Sequence, residues 1–314
     1  MSSFDISKNL DNRDIKFSRK KSFSFDHFMG CNCPSCNFNK DTYQDSSLAD
    51  SALPAINSTL GDLADFLGEG YWNDLGQTTR KWNLSSSGPN YRNGIITYNT
   101  GPNWHDFNGI LSSGRRTLID ESFKLFEATL GIDFRSDNTL DSHIDFRDWD
   151  GGAYAATYNI NNGYGLYALV NINYAWDSYK SNYNSYTHET VLHEIGHALG
   201  LGHQGNYNAS ASYSNAKFRN DVTNYSIMSY FKVANSSWPS AYINPNIEGD
   251  YCYAATPMVV DWIALDNLYG SQGFGINNAF RDDTTYGFNT TISSSTSDIW
   301  NNMSSKLKTI FGNL

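Results

Sequence analysis

The stretch HEIGHALGLGH, from His193 to His203, constrains this chain more than any other. It holds three of the chain's 7 histidines. On an α-helix, side chains four apart share a face, so His193 and His197 present two imidazoles in one direction. Gly200 follows shortly, where a positive φ can end the helix and turn the chain sharply. Such a turn returns His203 toward the first two rings. Three neutral imidazole nitrogens around one point, with a fourth position open to water, form the donor set of a catalytic zinc site. Glu194, beside the first histidine, is placed to lean over the metal without binding it and to serve that water as a general base. His188, one turn earlier, reads as a surface residue of the helix's first turn.

A helix carrying this much polar chemistry needs a packed body behind it. The chain has 314 residues, enough for a sizeable core. Its hydrophobic fraction is only 39%, but 21 Tyr, 18 Phe and 8 Trp supply large buried surfaces. GIITYNTG, IDFRDW, AYAATYNI and YALVNINYAW read as strands. TLIDESFKLFEATLG reads as an amphipathic helix closed by Gly131, and PMVVDWIALDNLYG as an apolar helix. The expected fold class is therefore α+β, a twisted mixed sheet with helices against it and a smaller, irregular C-terminal part. A net charge of -10 argues against a nucleic-acid partner. No apolar run reaches the roughly 18 residues that a membrane span requires, and the N-terminus has no apolar core of a Sec signal.

Further motifs make a resemblance specific. HEIGHALGLGH fits the long zinc signature HExxHxxGxxH, and SIMSY follows it with Met228 and Tyr230. Together they resemble the metzincin metallopeptidases, and the flanks HQGNYN and MSYF are most similar to the serralysin group. AYA (Ala153, Tyr154, Ala155) resembles that family's substrate-binding edge strand, YAATPMVVDWIALDNLYG its helix after the methionine turn, and TTYGFN its exit from the protease domain. The resemblance implies a metzincin fold with a long active-site helix, and a zinc endopeptidase. His193, His197 and His203 would hold Zn2+, with Glu194 as general base. Tyr230 would bind the metal at rest and support the oxyanion during reaction, and Met228 would floor the site. Gln204 stands where the family usually has proline. The family's GGxGxDxUx calcium repeats and the export signal beyond them are missing, which leaves calcium dependence and export route open. From a different class, the alternative is a zinc-bound interaction or toxin module that does not cleave.

The expected organisation is an N-terminal pro-segment-like region over 1–70, a catalytic domain over 71–290 and an amphipathic tail over 291–314. The tail reads either as a packed cap or as a docking or export element. CNCPSC carries Cys31, Cys33 and Cys36. It admits three readings: a cysteine switch that fills the fourth zinc position in a latent form, a separate zinc site drawing on His27 or Cys252, or a disulfide or free thiols. A latent form would need processing, with Arg19 to Lys21 as a candidate point. The expected partners are protein or peptide substrates, with a proteinaceous inhibitor or a delivery machine as further candidates, and the expected state is a monomer. Delivery outside the cell by a non-Sec route is expected, with cytoplasmic storage beforehand as the alternative.

Overall fold

The computed structural model describes residues 57–101, 111–137, 139, 141–179, 185–234, 242–249 and 253–276. CNCPSC, His27, His105, Cys252, TTYGFN and the C-terminal amphipathic segment lie outside the described residues. No described helix is long and apolar enough to cross a membrane.

Five strands form the main sheet: β1 (Ile95–Asn99), β2 (Asp133–Ser136), β3 (Ile144–Arg147), β4 (Ala153–Tyr158) and β5 (Tyr167–Ile172). Their order is β2-β1-β3-β5-β4. The first four are parallel, and β4 runs antiparallel to β5 at the edge. Strand β5 is the centre of burial, with Ala168 to Ile172 inside. Four of the strands follow the sequence reading. Strand β2 does not, because DFRS buries only Phe134 and shows no alternation to read.

The helices follow in chain order. Helix α1 (Leu60–Asp65) passes through a single π turn (Phe66–Gly70) into α2 (Tyr71–Asp74). This segment crosses residue 70 without a break, and Leu63, Ala64 and Leu67 belong to the main core. Helix α3 (Ser113–Leu130) starts where the Ser112 hydroxyl accepts the Arg115 N–H and stops at Gly131, whose φ is 75°. Helix α4 (Tyr186–Ala198) carries the first two histidines, and α5 (Val259–Tyr269) closes the described part. Two short parallel strands, β6 (Lys232–Ala234) and β7 (Ile243–Glu248), sit between them. The α+β class expected from the sequence is the class observed.

The core forms where α3 lies against the sheet. Phe123 stacks on Tyr98 at 4.1 Å and meets Phe146 edge-on at 5.7 Å. Phe126 meets Trp262 of α5 at 5.3 Å. Each such pair contributes about 0.5–1.5 kcal/mol beyond the area it buries. On α4 the apolar residues Val191, Leu192, Ile195 and Ala198 enter the same core. The whole of α4 from Thr187 onward is buried. His188 is therefore not a surface residue: it is 2% exposed, because neighbours cover every side of this helix.

Candidate metal centre

The site begins at the two ends of α4. At the N-terminus, the Ser185 hydroxyl accepts the His188 N–H at 3.2 Å. At the C-terminus, three backbone carbonyls that the helix cannot pair are taken by side chains from elsewhere. Trp82 donates its indole N–H to Ala198 O (2.9 Å), Tyr269 its hydroxyl to Leu199 O (2.6 Å), and Trp72 its indole N–H to Gly200 O (2.8 Å). The helix end is thus fixed by residues from α2, α5 and the segment before β1. Gly200 then turns the chain at φ 111°. A Cβ there would run into the Arg80 carbonyl, so the sharp turn needs glycine on two counts.

The turn brings His203 back as the sequence spacing implies. The ligand atoms of His193, His197 and His203 lie within 4.8 Å of one another, all three residues being buried. Ring centroids stand 4.7 Å apart for His193 and His197, and 4.6 Å for His197 and His203. Among the described residues, no other group of three such side chains converges in this way.

The outer nitrogens decide whether the set suits a metal. His193 Nδ1 lies 2.7 Å from Ile227 O, and His197 Nδ1 lies 2.8 Å from Leu201 O. A carbonyl only accepts, so both rings carry their proton on Nδ1 and leave Nε2 as a bare lone pair. His197 Nε2 and His203 Nε2 are 3.1 Å apart. Two nitrogens bound to one tetrahedral zinc at about 2.0–2.1 Å would stand about 3.3 Å apart. The donor type, the tautomers of His193 and His197, and the spacing of His197 and His203 fit Zn2+. Glu194 is fully buried beside His193.

The turn SIMSY lies beneath α4. Met228 is fully buried, and its sulfur would be 2.9 Å from a Cβ placed on Gly196, so helix and turn touch where glycine leaves room. Asp261 on the first turn of α5 fixes this turn. It accepts from the Ser226 hydroxyl (2.6 Å), Ile227 N–H (2.9 Å) and Met258 N–H (2.7 Å). Burial pushes its carboxyl up to about 6, and the donated hydrogen bonds pull it back in part. A chain of contacts therefore runs from Asp261 through the Ile227 peptide to His193 Nδ1. The Tyr230 ring lies 4.6 Å from that of His203 and 6.4 Å from that of His193.

Ala153, Tyr154 and Ala155 begin the edge strand β4, with both alanines buried and the Tyr154 hydroxyl donating to Asp150 at 2.6 Å. The motifs located His193, Glu194, His197, His203, Met228 and Tyr230, but not the supports. Asp261, Trp72, Trp82 and Tyr269 stand far from the motif in sequence. Only the first-turn position of Asp261, after a proline and ahead of an apolar helix, could have marked it.

Comparison with known proteins agrees with this geometry. A family model described as Met-zincin matches residues 180–248. Metallopeptidase AprA of Pseudomonas marginalis is 35% identical over 161 residues, covering 48% of this chain and 31% of that protein. Metalloprotease AprA of Pseudomonas entomophila is 36% identical over 147 residues, 46% of this chain and 27% of that protein. Serralysin C of Dickeya chrysanthemi is 38% identical over 123 residues, 37% of this chain and 23% of its own length. The chain thus spans less than a third of the length of these curated relatives. The matches support a serralysin-like metzincin.

Proposed function

From a serralysin-like met-zincin region built around three converging histidines, we propose that this chain is a zinc endopeptidase acting on extended segments of protein substrates. The observation that carries the reading is the set of three buried imidazoles, two with their outer nitrogens committed to backbone carbonyls. His193, His197 and His203 hold the ion. When bound, zinc supplies a Lewis acid and brings the pKa of a water in its fourth position down to about 7. Glu194 takes a proton from the attacking water and later hands it to the leaving amine. Tyr230 would be a further ligand of the ion at rest, and its hydroxyl would then support the negative charge that develops on the scissile carbonyl oxygen. Strand β4, at the sheet edge, receives the substrate as an added strand along Ala153 to Ala155.

Latency belongs to the same reading. A thiolate from Cys31, Cys33 or Cys36 occupies the fourth position until the N-terminal segment is removed, and the enzyme acts outside the cell. Because α1 and the π turn give Leu63, Ala64 and Leu67 to the main core and Trp72 of α2 bonds the Gly200 carbonyl, the segment removed lies ahead of Leu60. Replacing the three cysteines with serine raises the activity of the full chain; unchanged activity removes the switch from the account.

The test of the main reading is casein cleavage by purified protein. The full chain with Cys31, Cys33 and Cys36 replaced by serine cleaves, and a chelator stops it. Glu194→Gln in that chain binds zinc normally but loses about 10²–10⁴-fold in rate. A Glu194→Gln protein as active as its parent would dismiss Glu194 as the base.

A further inference from the structure

Behind the histidines lies a buried polar pair that peptide hydrolysis, as proposed, does not employ. Tyr207 comes four residues after His203. Its ring stacks on that of His203 at 5.6 Å with 29° between the planes, and lies 4.5 Å from the ring of Tyr230. On another side it meets Phe231 edge-on at 5.3 Å. The Tyr207 hydroxyl donates to Asp221 Oδ2 at 2.9 Å and accepts the Tyr230 N–H at 3.4 Å. Tyr207 is 3% and Asp221 1% exposed.

A carboxylate so deep in the protein is costly unless donors surround it. Asp221 Oδ2 has the Tyr207 hydroxyl as its donor. Its own backbone is tied down, because Asn244 Nδ2 donates to Asp221 O at 2.7 Å. Asp221 therefore holds Tyr207, which bonds the Tyr230 backbone and packs on the Tyr230 ring. A phenylalanine would fill the same volume as Tyr207 without needing a buried acceptor. The hydroxyl fixes the tilt of a ring wedged between His203 and Tyr230.

We propose that Tyr207, anchored by Asp221, is a positioning residue of the metal centre: its ring sets the orientation of His203, and its hydroxyl sets the place of Tyr230. This rests on the peptidase reading for its kinetic consequence, but not for its effect on metal binding. Two predictions separate ring from hydroxyl. Removing the ring loosens the third ligand, and outer-shell groups of this kind are worth about 10–100-fold in metal affinity or activity. Removing only the hydroxyl leaves His203 stacked and frees Tyr230.

The experiment uses the full chain with Cys31, Cys33 and Cys36 replaced by serine, with zinc affinity measured by competition with a chromophoric chelator and kcat and KM measured on a peptide. Tyr207→Phe keeps zinc affinity within about threefold, lowers kcat about tenfold and leaves KM within about twofold. Tyr207→Leu lowers zinc affinity about tenfold or more. Asp221→Asn, which retains an acceptor for the hydroxyl, restores most of the kcat that Asp221→Ala loses. Wild-type zinc affinity in Tyr207→Leu, or wild-type kcat in Tyr207→Phe, overturns the proposal. Tyr207→Phe conserves volume but strips a donor from the buried Asp221, so its Tm is measured beside kcat, and Tyr207→Phe/Asp221→Asn, which leaves no buried charge, must show the same loss of kcat. If the full chain with Cys31, Cys33 and Cys36 replaced by serine binds zinc and cleaves nothing, the peptidase reading falls, and the affinity of Tyr207→Leu alone decides the positioning role.

Discussion

His143 shows how a single residue ties the fold to solution conditions. It precedes β3, is half-buried, and its Nδ1 accepts the Thr97 N–H at 2.9 Å. Burial, then the Arg92 charge, lowers its pKa to about 4. The folded protein therefore keeps it neutral while the unfolded chain, near the ordinary 6.5, takes up a proton. Its contribution to stability is fully present above about 6.5 and is lost as pH falls toward about 4. Thermal unfolding of wild type and His143→Gln at pH 7.5 and pH 5 checks this. Wild type loses stability relative to the variant on acidification, and an unchanged difference in Tm contradicts it. The pairing of His193 and His197 was legible from sequence because the 3.6-residue helical period fixes their facing, and Gly200 marked the turn that returns His203. His143 was not, because its partner is a backbone N–H on a strand far away in the chain.

At the scale of elements, α4 and the turn beneath it act as one unit. Helix position comes from indole and phenol donors at its last carbonyls, and turn position comes from Asp261. Gly200 is the point where they meet the loop that returns His203. Gly200→Ala forces a side chain into positive φ and into the Arg80 carbonyl. Strain of this kind costs about 1–3 kcal/mol, and the same change lowers zinc affinity by displacing His203. Urea unfolding with and without zinc reads both effects; wild-type stability in this variant would remove the turn from the account. The motif helix, α3, α5 and four strands were legible as apolar periods bounded by caps. Strand β2 was not, and neither were β6 and β7, because their pairing is set by register with distant neighbours rather than by alternation. The expected surface place for His188 failed for a related reason: a helix buried on all sides can carry polar residues wherever partners meet them.

For the whole molecule, metal binding and stability are linked. The three histidines come from α4 and the loop after Gly200, while their supports come from α2, α5, the segment ahead of β1 and the SIMSY turn. An ion that binds only this assembled arrangement stabilises the entire domain, by about 2.7 kcal/mol at a free concentration of 100 times its Kd. Tm therefore rises with free zinc and returns to the apo value with chelator. A zinc-independent Tm would mean that the imidazoles hold no ion in the folded state. The sequence conveyed the donor set and the fold class, but not this distribution of supports, since residues from widely separated segments become neighbours only once the sheet and helices close on one core.

The central claim is that one zinc ion on His193, His197 and His203 performs peptide hydrolysis. Titrating zinc into metal-free protein while following cleavage of a quenched fluorescent peptide tests it most directly. Activity should rise in proportion to bound zinc, stop rising at one ion per chain, and be absent throughout in His203→Ala. Cleavage by metal-free protein, or no cleavage with one ion bound per mature chain, would contradict the claim.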